Sequence, residues 1–188
     1  MEIVNFNYKD QDYKEELMTH LRGQVFHLTS EKTFRDINKS GCIYNSKDNK
    51  CQPIWNSENT FARIHGYICL FDLRDKTDDI IDATLSKYYF LGPSCFEEYD
   101  KPYFKLNLAY LILSPSHYDK LIPNEAASNY NIETGRATQY IPKTECWFAY
   151  KLPIDYLIKS LLVQVWTTAK QENLADQIKI LDYEDRKK

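Results

Sequence analysis

One short stretch, Val25-Phe26-His27-Leu28-Thr29-Ser30, gives the first indication of the architecture. Its side chains alternate, with Phe26 and Leu28 on one face and His27 and Thr29 on the other. A period of two over five or six residues predicts a β-strand. The strand therefore carries an imidazole and a hydroxyl on one face, two residues apart.

A helix is predicted directly after this strand. Ser30 is a good N-cap, and Phe34 and Ile37 are spaced to share one helical face. Gly41 is placed to end the helix, and Cys42-Ile43-Tyr44 predicts a short strand beyond it.

The remaining segments do not repeat as strand–helix units. We therefore predict an α+β domain with two packed, mixed β-sheets and inserted helices rather than a doubly wound fold. Residues 103–113 are apolar on both faces, which favours a central strand. Other strands are predicted at 67–73, at 140–150 with an interruption near Pro142, and at 161–167. Helices are predicted at 8–21, from Asp78 and at 115–122, with a turn of helix at 154–159, and polar loops are predicted at 45–61 and 123–139. Residues 1–188 are predicted to form one domain, with a helical extension at 1–23, a core at 24–168 and a tail at 169–188.

Composition narrows the classes of function. The chain has 188 residues, with 24 Lys and Arg against 27 Asp and Glu, so it is not a strongly basic nucleic-acid clamp. No apolar run reaches the roughly 20 residues of a membrane helix, and no signal peptide is visible at the N-terminus. The five cysteines lack any CxxC spacing, which predicts reduced thiols in a cytoplasmic protein and no metal site.

Glu145 is the strongest candidate for chemistry. It lies in an otherwise apolar predicted strand, Thr144-Glu145-Cys146-Trp147-Phe148, where β-propensity does not account for a carboxylate. Burial there would raise its pKa unless hydrogen-bond donors compensate. The competing interpretation is an outward-facing glutamate at the edge of a sheet.

Three other positions have simpler explanations as well. His27 is also explained as a partly buried histidine with a satisfied hydrogen bond. Arg63 suits a phosphate or carboxylate partner but is equally a surface arginine. Tyr67 offers a ring face for stacking, although a chain with 15 tyrosines has core tyrosines too.

Together these segments resemble the ADP-ribosyltransferase-like superfamily, nearest to the DNA-targeting ADP-ribosyltransferase toxins and the RNA 2′-phosphotransferases. The resemblance rests on two segments of the chain. The first segment is Phe26-His27-Leu28-Thr29-Ser30 followed by Ile37 and Gly41, which is similar to the family's H-x-T strand, its helix and its I-x-x-x-G motif. The second segment is Ile141-Pro142-Lys143-Thr144-Glu145-Cys146-Trp147, which is similar to the strand that carries the family's glutamate. The resemblance covers residues 24–168.

The resemblance implies an NAD-dependent enzyme, with a split mixed β-sheet, that transfers ADP-ribose to an acceptor. Glu145 would be catalytic, and His27 with Thr29 would bind the ribose of NAD. An active enzyme of this kind predicts that His27 and Glu145 face one cleft about a nucleotide wide. Tyr67 would stack on the nicotinamide or ribose, and Arg63 would meet the pyrophosphate. Residues 45–61 would cover the cofactor and 123–139 would face the acceptor, which is a nucleic acid or a protein, as in a toxin or defence protein.

Two alternatives stay open. One is a catalytically silent relative that binds a nucleotide, nucleic acid or protein, with Glu145 turned away or the cleft filled by aromatic side chains such as Trp55. The other is an RNA 2′-phosphotransferase, which needs several cations converging on a phosphate. Its candidates are Lys32, Arg35, Arg63 and Arg136.

Overall fold

The computed structural model describes residues 1–9, 13–45, 47, 59–88, 91 and 107–166. The strands in these residues are β1 (Glu2–Lys9), β2 (Val25–Ser30), β3 (Cys42–Tyr44), β4 (Tyr67–Asp72), β5 (Asn107–Leu113), β6 (Glu145–Ala149), β7 (Lys151–Pro153) and β8 (Leu157–Trp166). The α-helices are α1 (Tyr13–Leu21), α2 (Glu31–Ser40), α3 (Phe61–His65), α4 (Asp78–Lys87) and α5 (Glu125–Thr134). Within the described residues, 3-10 helices lie at Pro115–Lys120 and Ile154–Tyr156.

The strands form a six-stranded sheet, in the order β1-β8-β5-β2-β4-β6, and a two-stranded sheet of β3 and β7. Strands β1 and β8 run parallel, while the other neighbours are antiparallel. The α+β class with a mixed sheet is therefore confirmed. The prediction that β5 is central is confirmed too, since six of its seven residues are buried.

The local signals around β2 and α2 are confirmed atom by atom. The Ser30 hydroxyl accepts the Thr33 N–H at 3.0 Å, which caps the start of α2. Gly41 takes a left-handed φ of 73°, and its N–H donates to the Ile37 carbonyl at 2.9 Å. These bonds satisfy main-chain groups that helix ends leave without partners.

Each face of the large sheet has its own apolar core. One face packs Phe26 and Tyr110 against side chains of α1 and α4, such as Leu17 and Ile81. The opposite face packs Val25 and other strand residues against α2 and the small sheet. A third cluster joins α3 and α5 to Trp147 beside the β6 edge.

The N-terminal prediction was wrong. Residues 1–23 are not a helical extension, because Glu2–Lys9 is strand β1 of the large sheet and the helix begins only at Tyr13. The alternation of β1 explains this, since Phe6 is buried and its neighbours Asn5 and Asn7 are exposed. Its partner β8 lies more than 150 residues further along the chain.

Three further predictions are corrected near the site. The polar loop predicted at 123–139 contains helix α5. Within the strand predicted at 140–150, strand β6 begins only at Glu145. The helix at 154–159 is a single 3-10 turn, after which β8 begins at Leu157. Pro142 lacks an N–H and Lys143 has a φ of 68°, so the chain turns before β6 instead of pairing.

Parts of other predictions lie outside the described residues. These are most of the loop at 45–61, including Trp55, the beginning of the strand at 103–113, and the tail at 169–188. Over the ranges that are described, none of the helices has the length and apolar character needed to span a bilayer.

Candidate functional site

The candidate site is centred on Glu145, the first residue of β6. The preceding residues form a closed turn in which the Glu145 N–H donates to the Ile141 carbonyl at 3.1 Å. This turn brings the glutamate side chain back over its own main chain. As a result Glu145 is only 5% exposed, so the outward-facing interpretation of this residue is wrong.

Both carboxylate oxygens of Glu145 accept hydrogen bonds inside the protein. Oε2 accepts the Ile141 N–H at 2.7 Å, and Oε1 accepts the Trp147 indole Nε1–H at 2.7 Å. Trp147 is fully buried, so its donor has no solvent alternative. Each oxygen can accept more than one hydrogen bond, so the carboxylate retains capacity for a ligand hydroxyl.

Burial and hydrogen bonding act in opposite directions on the ionisation of Glu145. Burial raises the pKa of the carboxyl above its ordinary value, while the donors from Ile141, Trp147 and the Cys69 thiol lower it. Burial has the larger effect, so the pKa is raised. The pKa of the Cys69 thiol is itself raised well above its usual range, first by burial and then by the neighbouring Glu145. The Cys69 thiol thus stays protonated.

His27 reaches the same residue from β2. Its Nδ1 lies 2.8 Å from the Cys69 carbonyl oxygen. Because a carbonyl only accepts, Nδ1 carries the proton, and Nε2 is the free acceptor of the neutral ring. Burial lowers the pKa of His27, with the bond to Cys69 acting against it, so the ring is neutral near pH 7. The satisfied hydrogen bond expected of a structural histidine is present and leaves Nε2 available.

The pairing register places His27 and Glu145 on opposite faces of the sheet, which does not support the expectation that both face one cleft. Phe26 pairs with Phe71, and Phe71 pairs with Glu145, so these three side chains share one face. His27 follows Phe26 and points to the other face. Strands β2 and β4 are joined by only two residue pairs, the last of which is Phe26 with Phe71. Beyond this pair, His27 bonds to β4 through its ring and not through its main chain.

Cys69 lies between the two candidate residues, on the strand that separates β2 from β6. Its thiol lies on the face of Glu145, whereas its carbonyl lies in the plane of the sheet and is reached by His27. No pattern in the sequence distinguishes Cys69 from the other cysteines. Only the register of three strands, β2, β4 and β6, brings it between His27 and Glu145.

The other predicted site residues are placed around this centre. Thr29 is 3% exposed and lies on the face of His27, opposite Ala109 of β5. Tyr67 lies on the face of Glu145, two residues from Cys69, and its ring stacks on His65 with centroids 5.4 Å apart. Arg63 is partly buried in the last turn of the short helix α3.

The aromatic cluster beside β6 is the other main feature of this edge. The Phe61 ring lies 4.5 Å from the Trp147 ring and 5.8 Å from Tyr130 of α5. Helix α5 therefore covers part of the Glu145 face, where a polar loop was expected to face the acceptor. The side chains covering Trp147 exclude water from its bond to the carboxylate.

No group of three or more potential metal ligands is found among the residues that the structure describes. The described cysteines, Cys42, Cys69 and Cys146, are free thiols. Comparison with protein-family models, with curated proteins and with solved structures gave no match to this chain.

Proposed function

We propose that the protein is an NAD-dependent ADP-ribosyltransferase that uses NAD as its substrate and Glu145 as its catalytic carboxylate. One observation carries the proposal: Glu145 is a buried carboxylate whose two oxygens are held in place by the Ile141 N–H and the Trp147 indole N–H. On the other side of β4, the His27 ring of β2 binds the Cys69 carbonyl beside the place where β2 and β4 stop pairing. The ligand would enter at this split in the sheet.

The chemistry requires a carboxylate that is ionised, ordered and partly desolvated. The bond between ribose C1′ and the nicotinamide nitrogen breaks, and nicotinamide leaves with the bonding electron pair. The ribose acquires oxocarbenium character, as in glycoside hydrolysis. The Glu145 carboxylate stabilises that charge and accepts a hydrogen bond from a ribose hydroxyl. A nucleophilic oxygen or nitrogen of the acceptor then bonds to C1′ and loses its proton.

The neutral state of His27 suits a binding role. With Nδ1 committed to Cys69, Nε2 accepts a hydrogen bond from a second ribose hydroxyl. Thr29 would support the same end of NAD, and Tyr67 would offer its ring face on the Glu145 side. Arg63 would pair with the pyrophosphate. A reducing, cytoplasmic setting is part of this proposal and is supported by the three free thiols.

A catalytically silent binding protein is the second candidate. It is favoured by the burial of Glu145 and by the two internal donors that already occupy its oxygens. In that case the carboxylate would fix the turn before β6, and any nucleotide would bind without turnover. The cations required by an RNA 2′-phosphotransferase lie on three separate segments: Lys32 and Arg35 on α2, Arg63 on α3, and Arg136 after α5. This spread does not favour the phosphotransferase.

The deciding experiment measures NAD turnover and NAD binding separately. Released nicotinamide is quantified by chromatography, and binding is measured by calorimetry, for the wild type, Glu145→Gln and Glu133→Gln. Glu133 is an exposed glutamate of α5 and serves as the matched control. We expect the Glu145→Gln substitution to abolish turnover and to preserve binding and fold, while the control behaves as wild type. Binding without turnover in the wild type supports the silent protein, and absence of NAD binding refutes the transferase.

The class of acceptor is tested with the same protein once turnover is seen. Labelled NAD is supplied with single-stranded DNA, RNA or a protein mixture, and the labelled product is digested with nuclease or protease. Label lost with nuclease identifies a nucleic-acid acceptor, as for a toxin or defence protein acting on nucleic acid. Nicotinamide release without any labelled product identifies NAD hydrolysis instead.

A further inference from the structure

Asn124 uses its side chain in an unusual way for its position. It immediately precedes helix α5, where asparagine ordinarily caps the first turn by accepting a main-chain N–H. Its side chain makes no such bond, and its own backbone is already helical, with φ −54° and ψ −35°. The amide is directed to another segment of the chain.

That segment is the turn that carries Glu145. The Asn124 Nδ2 group donates to the Ile141 carbonyl at 3.0 Å and to the Glu145 carbonyl at 2.7 Å. The Oδ1 atom accepts the Lys143 N–H at 2.9 Å. One side chain thus binds the main chain at the beginning, the middle and the end of the turn.

The turn needs this support because of Lys143. Its φ of 68° lies in the left-handed region, which is sterically unfavourable for a lysine. The N–H of Lys143 is held in that conformation by the Asn124 oxygen. The same turn presents the Ile141 N–H to the carboxylate of Glu145 at 2.7 Å.

We propose that Asn124 is a positioning residue for the carboxylate of Glu145. It acts through the turn at residues 141–145, by keeping the Ile141 N–H and the Glu145 side chain in hydrogen-bonding register. The effect on catalysis rests on the proposed function, whereas the effect on the geometry of the carboxylate does not.

The geometric part is tested by hydrogen exchange at single amides, measured by NMR. The variants are Asn124→Ala and the nearly isosteric Asn124→Asp, which keeps an acceptor for Lys143 but cannot donate to the two carbonyls. Asn131→Ala is the matched control, because Asn131 binds Thr138 through three hydrogen bonds and does not contact the Glu145 turn. The Leu111 amide in the central strand reports global opening.

We expect the Ile141 amide to exchange at least about tenfold faster in both Asn124 variants, with Leu111 unchanged, and to be unaffected in the control. Equal acceleration at Ile141 and Leu111 would show a general loss of stability and overturn the proposal. No acceleration at Ile141 would overturn it as well. If the alanine variant does not fold, the aspartate variant decides.

The catalytic part is tested by separating kcat from KM for NAD. Misplacement of a reacting group by about 1 Å costs on the order of 100-fold in rate, so kcat should fall strongly while KM changes little. Adding Lys143→Gly to Asn124→Ala should restore part of kcat, because glycine adopts the left-handed conformation without support. Equal kcat values for wild type and Asn124→Ala would refute the positioning role. Absence of turnover in the wild type would refute the proposed function, and the exchange data would still decide the role of Asn124.

Discussion

Replacing Glu145 by glutamine should remove a loss of stability that the wild type shows as the pH rises. Glutamine has nearly the same shape but does not ionise. Because burial raises the pKa of Glu145, ionisation is harder in the folded protein than in the unfolded chain. The folded protein therefore binds more protons than the unfolded chain across the interval between the two pKa values. Wild-type stability falls as the pH rises through that interval.

The size of the effect follows from the same comparison. For each pH unit that separates the two pKa values, the wild type loses about 1.4 kcal/mol that the glutamine variant retains. At low pH, both oxygens of the protonated carboxyl can still accept from Ile141 and Trp147, whereas the amide nitrogen of glutamine cannot accept and leaves one of these two N–H groups without its acceptor. The variant should therefore be less stable than the wild type there, by about 1–3 kcal/mol. In a chain of this length, 1 kcal/mol changes Tm by about 2–4 °C.

The assay is urea unfolding followed by circular dichroism between pH 4.5 and pH 8. We expect the stability difference between Glu145→Gln and wild type to grow with pH in favour of the variant. Glu133→Gln, on the exposed face of α5, should show no such trend. A stability difference that is independent of pH, or one that grows with pH in favour of the wild type, would contradict the raised pKa of Glu145. The reasoning from burial would then be wrong.

Three other outcomes follow from the same contacts. Ser30→Ala should lower the free energy of unfolding by about 1 kcal/mol in urea titrations, since it removes the cap on α2; an unchanged value would show that water replaces the cap. Trp147→Phe should cost about 2 kcal/mol or more, because it leaves a cavity and removes the donor to Glu145 Oε1; the same titration measures it, and a neutral result contradicts the described packing. If the protein releases nicotinamide, the rate should rise with pH through the raised pKa of Glu145; a pH-independent rate from pH 4.5 to pH 8 would exclude that carboxyl as the catalytic group.

Local signals in the sequence were sufficient for β2, α2 and β3. The alternation in β2, the Ser30 cap and Gly41 are satisfied by neighbours within a few residues, so they could be predicted one segment at a time. Helix α5 offered no such signal, because Ala127 is its one buried residue in the structure described and its sequence is rich in Asn, Ser and Thr. Strand β1 does alternate, but it is stabilised by the distant β8.

The arrangement of the candidate site could not be predicted in the same way. Glu145 was identified because an apolar strand has no use for a carboxylate, and the structure confirms that it is buried. Whether His27 shares its face depends on the register of β2, β4 and β6 together, and one slip of register reverses the answer. Cys69 and Asn124 are ordinary residues in the sequence, and only tertiary contacts distinguish them.

The energetics of Glu145 give a reason to associate it with function rather than with folding. Its carboxyl is buried, its pKa is raised, and the adjacent Lys143 adopts an unfavourable left-handed conformation. An apolar residue in its place would avoid the cost of burying a charge, and a glycine at position 143 would avoid the backbone strain. The chain instead supplies internal donors from Ile141, Trp147 and Cys69 that lower this cost without cancelling it. A fold under selection for stability alone has no need of such an arrangement, whereas a site that must present an ordered carboxylate to a developing positive charge does.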